Sequence, residues 1–290
     1  MKPGAFDYHA PSTLEEALSL LAEHADDAKV LAGGQSLVPL LSMRLARPAQ
    51  LIDINAIDTL SGIRSDDGGL ALGALTRERD AERSVLVAER VPLLAEALPL
   101  IGHVSIRNRG TVGGSLAHAD ASAELPAVAL LTGAEMVVRS AASERTVPAD
   151  EFFVGHFTTS MADDELLTEI RLPGGPDDAG WAFHEIARRH GDFALVGAAA
   201  MVALDGERVG EARIAMFGVA ERAVRAPQAE AALTGERAGA DAFAAAAADA
   251  TRWLVPGADV HGSAEFRRHL AGVAVRRALA TATGRAGRTS

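Results

Sequence analysis

The stretch KVLAGGQSLVPLLSMRL, Lys29 to Leu45, breaks a strand-like run, Val30-Leu31-Ala32, at a pair of glycines and resumes apolar character after the polar Gln35-Ser36. A Gly-Gly step has no side chains and reaches φ values closed to other residues. Successive N–H groups can then converge on one concave point that a ligand approaches closely. Such a nest suits a phosphate, although a single glycine pair also serves an ordinary turn.

A second segment, GTVGGS from Gly110 to Ser115, shares the design: a glycine pair followed by a small hydroxyl able to donate to an oxygen. Two such turns suit the two halves of a pyrophosphate. Lys29 precedes the first, and Arg107 and Arg109 precede the second, as cations that either meet a phosphate or lie on solvated surface. Neither turn matches G-x-G-x-x-G or a P-loop, so the ligand would be held outside those two common folds.

Outward from these turns the pattern alternates between helix and strand. PSTLEEALSLLAEHADDA opens with Ser12 or Thr13 as a cap and Glu15 or Glu16 three residues on, then Leu14, Leu18 and Leu21 at helical spacing. Gln50 to Ile54 and Gly69 to Thr76 read as strands, Val91 to Gly102 as a helix, and Met136 to Arg139 as a strand. A strand in DELLTEIRLP is closed by Pro173, and the turn-rich Gly174 to Asp178 marks a domain boundary. Beyond it, WAFHEIARR, FALVGAAAMVAL and VGEARIAMFGVA read as three strands, and the chain from Gln228 onward is Ala-rich and helical.

Composition removes several chemistries. The 290 residues contain no cysteine, so the chain has no disulfide, no thiolate nucleophile and no thiolate ligands for a cluster or zinc. A formal charge of −11 and few aromatics argue against a nucleic-acid surface. With no run of eighteen apolar residues and no signal-like N-terminus, the chain reads as cytoplasmic, with membrane association at most peripheral. Nine histidines show no H-E-x-x-H or comparable spacing, and no metal site is expected.

LAGGQSLVPLLSMRLARPAQLIDI and IRNRGTVGGSLAHADASAELPAV resemble the two flavin-binding segments of the FAD-binding (medium) subunit of molybdenum hydroxylases, the carbon monoxide dehydrogenase and xanthine dehydrogenase family. EIARRHGDFALVGAAA, Glu185 to Ala200, resembles the opening of that subunit's C-terminal domain. The resemblance implies an α+β chain. Residues 1–175 would form a two-subdomain FAD-binding fold of the vanillyl-alcohol-oxidase or para-cresol-methylhydroxylase type, split at about 56/57. Residues 180–290 would carry a three-stranded antiparallel sheet with helices.

By the same resemblance, Ala32, Gly33, Gly34, Gln35, Ser36 and Leu37 hold one side of the FAD pyrophosphate, with Lys29 nearby, and Thr111, Gly113, Gly114 and Ser115 hold the other. His118, Asp120 and Glu124 belong to the second segment. A carboxylate at Glu124 or Asp120 would bind ribose or adenine-side groups, or would equally serve as an acidic charge at a helix N-terminus. Ile101 and Leu167 would line the flavin or adenine pocket. Phe193 stands where some relatives carry a tyrosine near the isoalloxazine, and Glu185 where some carry lysine.

The resemblance further implies electron transfer. FAD, bound noncovalently because Gln35 follows the first glycine pair and no cysteine exists, would collect electrons from [2Fe–2S] clusters of a small subunit. A large subunit would carry the molybdenum cofactor, the whole forming a dimer of heterotrimers, with NAD+, a quinone or oxygen as acceptor. No catalytic residue is nominated. Two other readings compete: a stand-alone FAD-dependent oxidoreductase, for which His103 and His118 are the nearby acid–base candidates, and a non-catalytic FAD-binding assembly component.

Overall fold

The computed structural model describes residues 1–287. The first sheet is parallel, in the order β1 (Asp7–His9), β3 (Gln50–Asp53), β2 (Ala28–Leu31). Helix α1 (Leu14–His24) starts at a complete capping box: Thr13 accepts from the Glu16 N–H while the Glu16 carboxylate accepts from the Thr13 N–H. Its Leu14, Leu18 and Leu21 bury one face of the sheet against Ile52, Ile54 and Ile57. Asp7–His9 escaped the sequence reading because three residues carry too little alternation to register.

After β2 the chain makes the first glycine turn and enters the short helix α2 (Leu37–Ser42). Pro39 is tolerated there because it lies in the first turn, where its missing N–H is not needed.

A five-stranded antiparallel sheet follows. Its order is β4 (Ile63–Asp66), β5 (Gly69–Gly73), β10 (Leu166–Leu172), β6 (Glu135–Arg139), β7 (Glu144–Pro148). The β4–β5 hairpin turns through Asp67 and Gly68, both at positive φ, which matches the right-handed twist of the paired strands. A small hairpin, β8 (Phe153–Gly155) and β9 (Thr158–Thr159), stands apart from this sheet.

Between β5 and β6 lie α3 (Glu78–Arg83), α4 (Val85–Arg90), α5 (Pro92–Ala97), α6 (Val104–Arg107), α7 (Val112–His118) and α8 (Glu124–Thr132). The helix read across Val91 to Gly102 stops at Ala97 and tightens into a 3₁₀ turn over Leu98–Leu100. Pro99 causes this, since it cannot donate to the carbonyl four residues back. Every residue of α8 is buried, because the helix lies between this region and the C-terminal sheet.

The C-terminal sheet has four strands, which corrects the three-stranded expectation. To β11 (Gly180–Ala187), β12 (Ala194–Asp205) and β13 (Arg208–Phe217) is added β14 (Val224–Arg225), two residues paired with Ala215 and Met216. The alternation in β12 is two-sided: Ala199 and Met201 face the core shared with α5, α7 and α8, while Ala198, Ala200 and Val202 face the helices beyond. After the four-residue α9 (Ala149–Phe152) in the earlier region, the remaining helices are α10 (Pro227–Leu233), α11 (Ala240–Thr251) and α12 (Ala264–Arg285). Among the described residues no helix is long and apolar enough to cross a membrane.

Candidate functional site

The two glycine turns meet. A Cβ on Gly33 would fall onto the Arg109 carbonyl oxygen and lie 2.8 Å from the Gly110 Cα, so only glycine lets the first turn reach the backbone of the second. A Cβ on Gly114 would lie 3.7 Å from that of Ala32. Gly113 is fixed by the fold: a side chain there would strike the Ala74 backbone, whose carbonyl accepts the Gly113 N–H at 2.9 Å.

The turns differ in what they offer a ligand. Gly34 takes φ +74°, and the Gln35 side-chain amide returns to the Gly33 carbonyl at 3.1 Å. Among the described residues, the N–H groups of Gly33, Gly34, Gln35, Ser36 and Leu37 donate to no protein acceptor. Such consecutive unpaired donors form an anion cradle. At the second turn the N–H groups are already used: Val112 donates to Thr76, Gly113 to Ala74, Gly114 to the Thr111 hydroxyl at 3.1 Å, and Ser115 to the Thr111 carbonyl. That side offers hydroxyls, from Thr111 and Ser115.

Positive charge gathers beside both turns, though from residues that only partly match the sequence reading. Arg109 is exposed and close enough to Arg77 that its charge, after burial, depresses the Arg77 pKa. Two guanidiniums held together repel unless anions sit near them, and Asp80, then Asp53, offset only part of this. Asp53, despite its burial, is held below the usual carboxylate range by the Tyr8 hydroxyl, Asn55 amides and Arg109. Arg107 is not a phosphate cation: it is buried, paired with Glu82 at 2.8 Å, and donates to the Ile101 and Gly102 carbonyls. Lys29 is exposed on β2, in register with Leu51.

This cleft belongs to a chain with clear relatives. Residues 4–175 match the family described as "FAD binding domain in molybdopterin dehydrogenase", and residues 181–282 match "CO dehydrogenase flavoprotein C-terminal domain". The chain belongs to the FAD-binding medium subunits of the molybdenum hydroxylases. It is 46% identical over 287 residues to the 6-hydroxypseudooxynicotine dehydrogenase complex subunit alpha of Paenarthrobacter nicotinovorans, covering 99% of this chain and 97% of that one. It is 40% identical to the carbon monoxide dehydrogenase medium chain of Hydrogenophaga pseudoflava, covering 98% and 99%. A solved carbon monoxide dehydrogenase from Hydrogenophaga pseudoflava, lacking the Mo-pyranopterin moiety of its cofactor, superposes with TM-score 0.96 at 42% identity over 99% of this chain and 100% of that chain.

The other residues read from the sequence lie at several further places in this medium subunit. His118 ends α7, about 9 Å along the helix from Val112. Its ring packs against Phe157 with centroids 4.8 Å apart, and burial depresses its pKa. Asp120 accepts the Ser122 N–H at 2.8 Å, which closes the turn before α8. Ile101 and Leu167 are core residues. Phe193 is 71% exposed on the β11–β12 connection, where Gly191 packs against the His103 ring and the Gly102 carbonyl.

Glu124 begins α8 almost fully buried. Burial, then the neighbouring Glu185 carboxylate, pushes it up to about 8, while burial pushes Glu185 itself up to about 7. Glu78, behind the second turn, is pushed to about 8 by burial, and its Oε2 has no partner among the described residues. Its carboxyl lies where a side chain on Gly110 would go. At neutral pH Glu78 and Glu124 stay largely protonated and Glu185 about half so, which limits the buried negative charge of this group.

Asn55 and Arg77 were missed by the sequence reading. One signal was present: Asn55 lies two residues past the end of β3 in a parallel sheet, and ligands of open α/β sheets gather at that strand end.

Proposed function

We propose that this medium subunit holds FAD noncovalently between its two glycine turns and serves as the electron outlet of a molybdenum hydroxylase complex. The observation that carries the reading is the run of unpaired N–H groups from Gly33 to Leu37, set directly against the second turn. A diphosphate fits that arrangement: the first turn supplies backbone donors and the second supplies the Thr111 and Ser115 hydroxyls. The exposed guanidinium of Arg109 balances charge, while that of Arg77 is engaged with Asn55 and the Arg109 carbonyl. Lys29, Ala32, Gly113 and Gly114 shape the cleft. Ile101, His118, Asp120, Glu124, Leu167 and Phe193 would face the rest of the cofactor.

FAD, when bound, accepts electrons singly and releases them in pairs. The protein's part is binding, orientation and exclusion of water, and no side chain is assigned an acid–base step. A chain without cysteine can hold no iron–sulfur cluster on thiolates, which suits a subunit that receives electrons from [2Fe–2S] centres of a small partner. A large partner would carry the molybdenum cofactor and choose the substrate. The relatives' names support that division, since 6-hydroxypseudooxynicotine and carbon monoxide share little chemistry. The acceptor would be NAD+, a quinone or oxygen, the assembly a dimer of heterotrimers, and its place the cytoplasm. Residues 1–175 would form the FAD-binding unit, subdivided at about 56/57, and residues 180–290 the C-terminal unit.

The test is to purify the full chain alone and with its co-expressed partners. Flavin should accompany the chain in both. It should bleach on addition of organic substrate only in the complex, whose metal analysis shows molybdenum and iron. Substrate turnover by the isolated chain, or flavin retained in a denatured mass spectrum, would contradict the reading.

A further inference from the structure

The two glycine turns belong to different parts of the fold, one after the parallel sheet and one after α6, yet an unbroken line of side-chain hydrogen bonds joins their carbonyls. The Ala32 carbonyl accepts from Asn55 Nδ2 at 2.8 Å, Asn55 Oδ1 accepts from Arg77 Nη2 at 2.7 Å, and Arg77 Nη1 donates to the Arg109 carbonyl at 2.6 Å. The Asn55 amide has only one workable orientation, because its NH₂ faces the Ala32 carbonyl and the Asp53 carboxylate while its oxygen faces a guanidinium. Asp53 also accepts the Asn55 backbone N–H at 2.9 Å, so the asparagine is held from both sides.

The backbone around Arg77 is equally fixed. Arg77 bridges Thr111, Val112 donates to the Thr76 carbonyl, and Glu78 donates to the Gly110 carbonyl, so the chain entering α3 is bonded along the second turn. Arg77 therefore moves with the second turn and Asn55 with the first. From this geometry we infer that Asn55 and Arg77 are positioning residues, a brace that sets the gap between the two turns and hence the ability to grip both phosphates of a diphosphate at once. This rests on the proposed FAD site. Neither residue need touch the ligand.

A brace of this kind acts on ligands that engage both turns. FAD carries a diphosphate, whereas FMN carries the same ring system with one phosphate. Asn55→Ala and Arg77→Met, each made in the full chain, should weaken FAD binding about tenfold while changing FMN binding less than twofold. The double variant should lose no more than either single one, since cutting a serial link twice has the effect of cutting it once. Amide hydrogen exchange at Val38 and Leu40, whose N–H groups donate to the Gly34 and Ser36 carbonyls of the first turn, should speed up in both single variants of the flavin-free chain.

Equal losses for FAD and FMN would mean general damage and would overturn the brace, as would unchanged FAD affinity or losses that add in the double variant. A wild-type chain that binds no flavin would remove the FAD site itself and the brace's ligand role with it. In a chain that binds FAD normally, unchanged exchange at Val38 and Leu40 would overturn the brace alone.

Discussion

Gly33→Ala tests the cleft at its tightest point. The new methyl carbon would lie 2.8 Å from the Gly110 Cα, about 0.6 Å inside the 3.4 Å at which ordinary contact begins, and closer still to the Arg109 carbonyl oxygen. Both neighbours are backbone, so no flexible side chain can yield and the turns must separate. Overpacking of this kind costs about 1–3 kcal/mol of stability. The effect on the ligand is larger. If separation removes two hydrogen bonds to a charged phosphate, at about 1.5 kcal/mol each, affinity falls by about 3 kcal/mol, on the order of a hundredfold in Kd.

The assay is quenching of flavin fluorescence on titration into flavin-free chain, with thermal unfolding measured alongside. Gly155→Ala is the control, since nothing lies within 4 Å of the added methyl. A Gly33→Ala chain that binds FAD as tightly as wild type would show that the turns need not touch.

Stability should depend on pH through the buried carboxyls. Glu78 and Glu124, pushed up to about 8, keep protons in the folded chain that the unfolded chain releases near 4.5. Their contribution is complete below that pH and is lost as pH rises toward 8, at about 1.4 kcal/mol per pH unit for each carboxyl that stays protonated. Urea unfolding at pH 5, 6 and 7 should show this decline, made shallower by Glu78→Gln. Thr111→Ala removes the cap of α7 and should cost about 1 kcal/mol in unfolding free energy, together with one ligand hydroxyl. Arg107→Ala removes the buried partner of Glu82, which keeps Arg79 at 2.8 Å, and leaves the Ile101 and Gly102 carbonyls without its donors, so it should cost about 1–3 kcal/mol. Phe193→Ala, at an exposed position, should leave unfolding within about 0.5 kcal/mol of wild type.

Much of the molecule was legible because the decisive residues are glycines at fixed places. The pairing of AGGQS with GTVGGS singled out two turns that the fold brings into contact, and the contact of Gly33 with Arg109 and Gly110 explains why glycine is required there. The capping box at Thr13 and Glu16 was also readable, since it is a local rule with a fixed spacing. What sequence could not give is long-range pairing. Asn55 and Arg77 lie on separate elements and meet only when the parallel sheet docks on the strand-like segment before α3. Arg107 looked like a phosphate cation because it precedes the glycines, but α6 turns it inward to Glu82. The short strand at Val224 and Arg225 exists only because the edge of β13 was open to pairing.

The most direct measurement is an experimental structure of the full chain with FAD bound. The diphosphate should sit within hydrogen-bond distance of the N–H groups from Gly33 to Leu37 on one side and of the Thr111 or Ser115 hydroxyl on the other. A diphosphate found elsewhere, with those N–H groups facing water, would contradict the clamp.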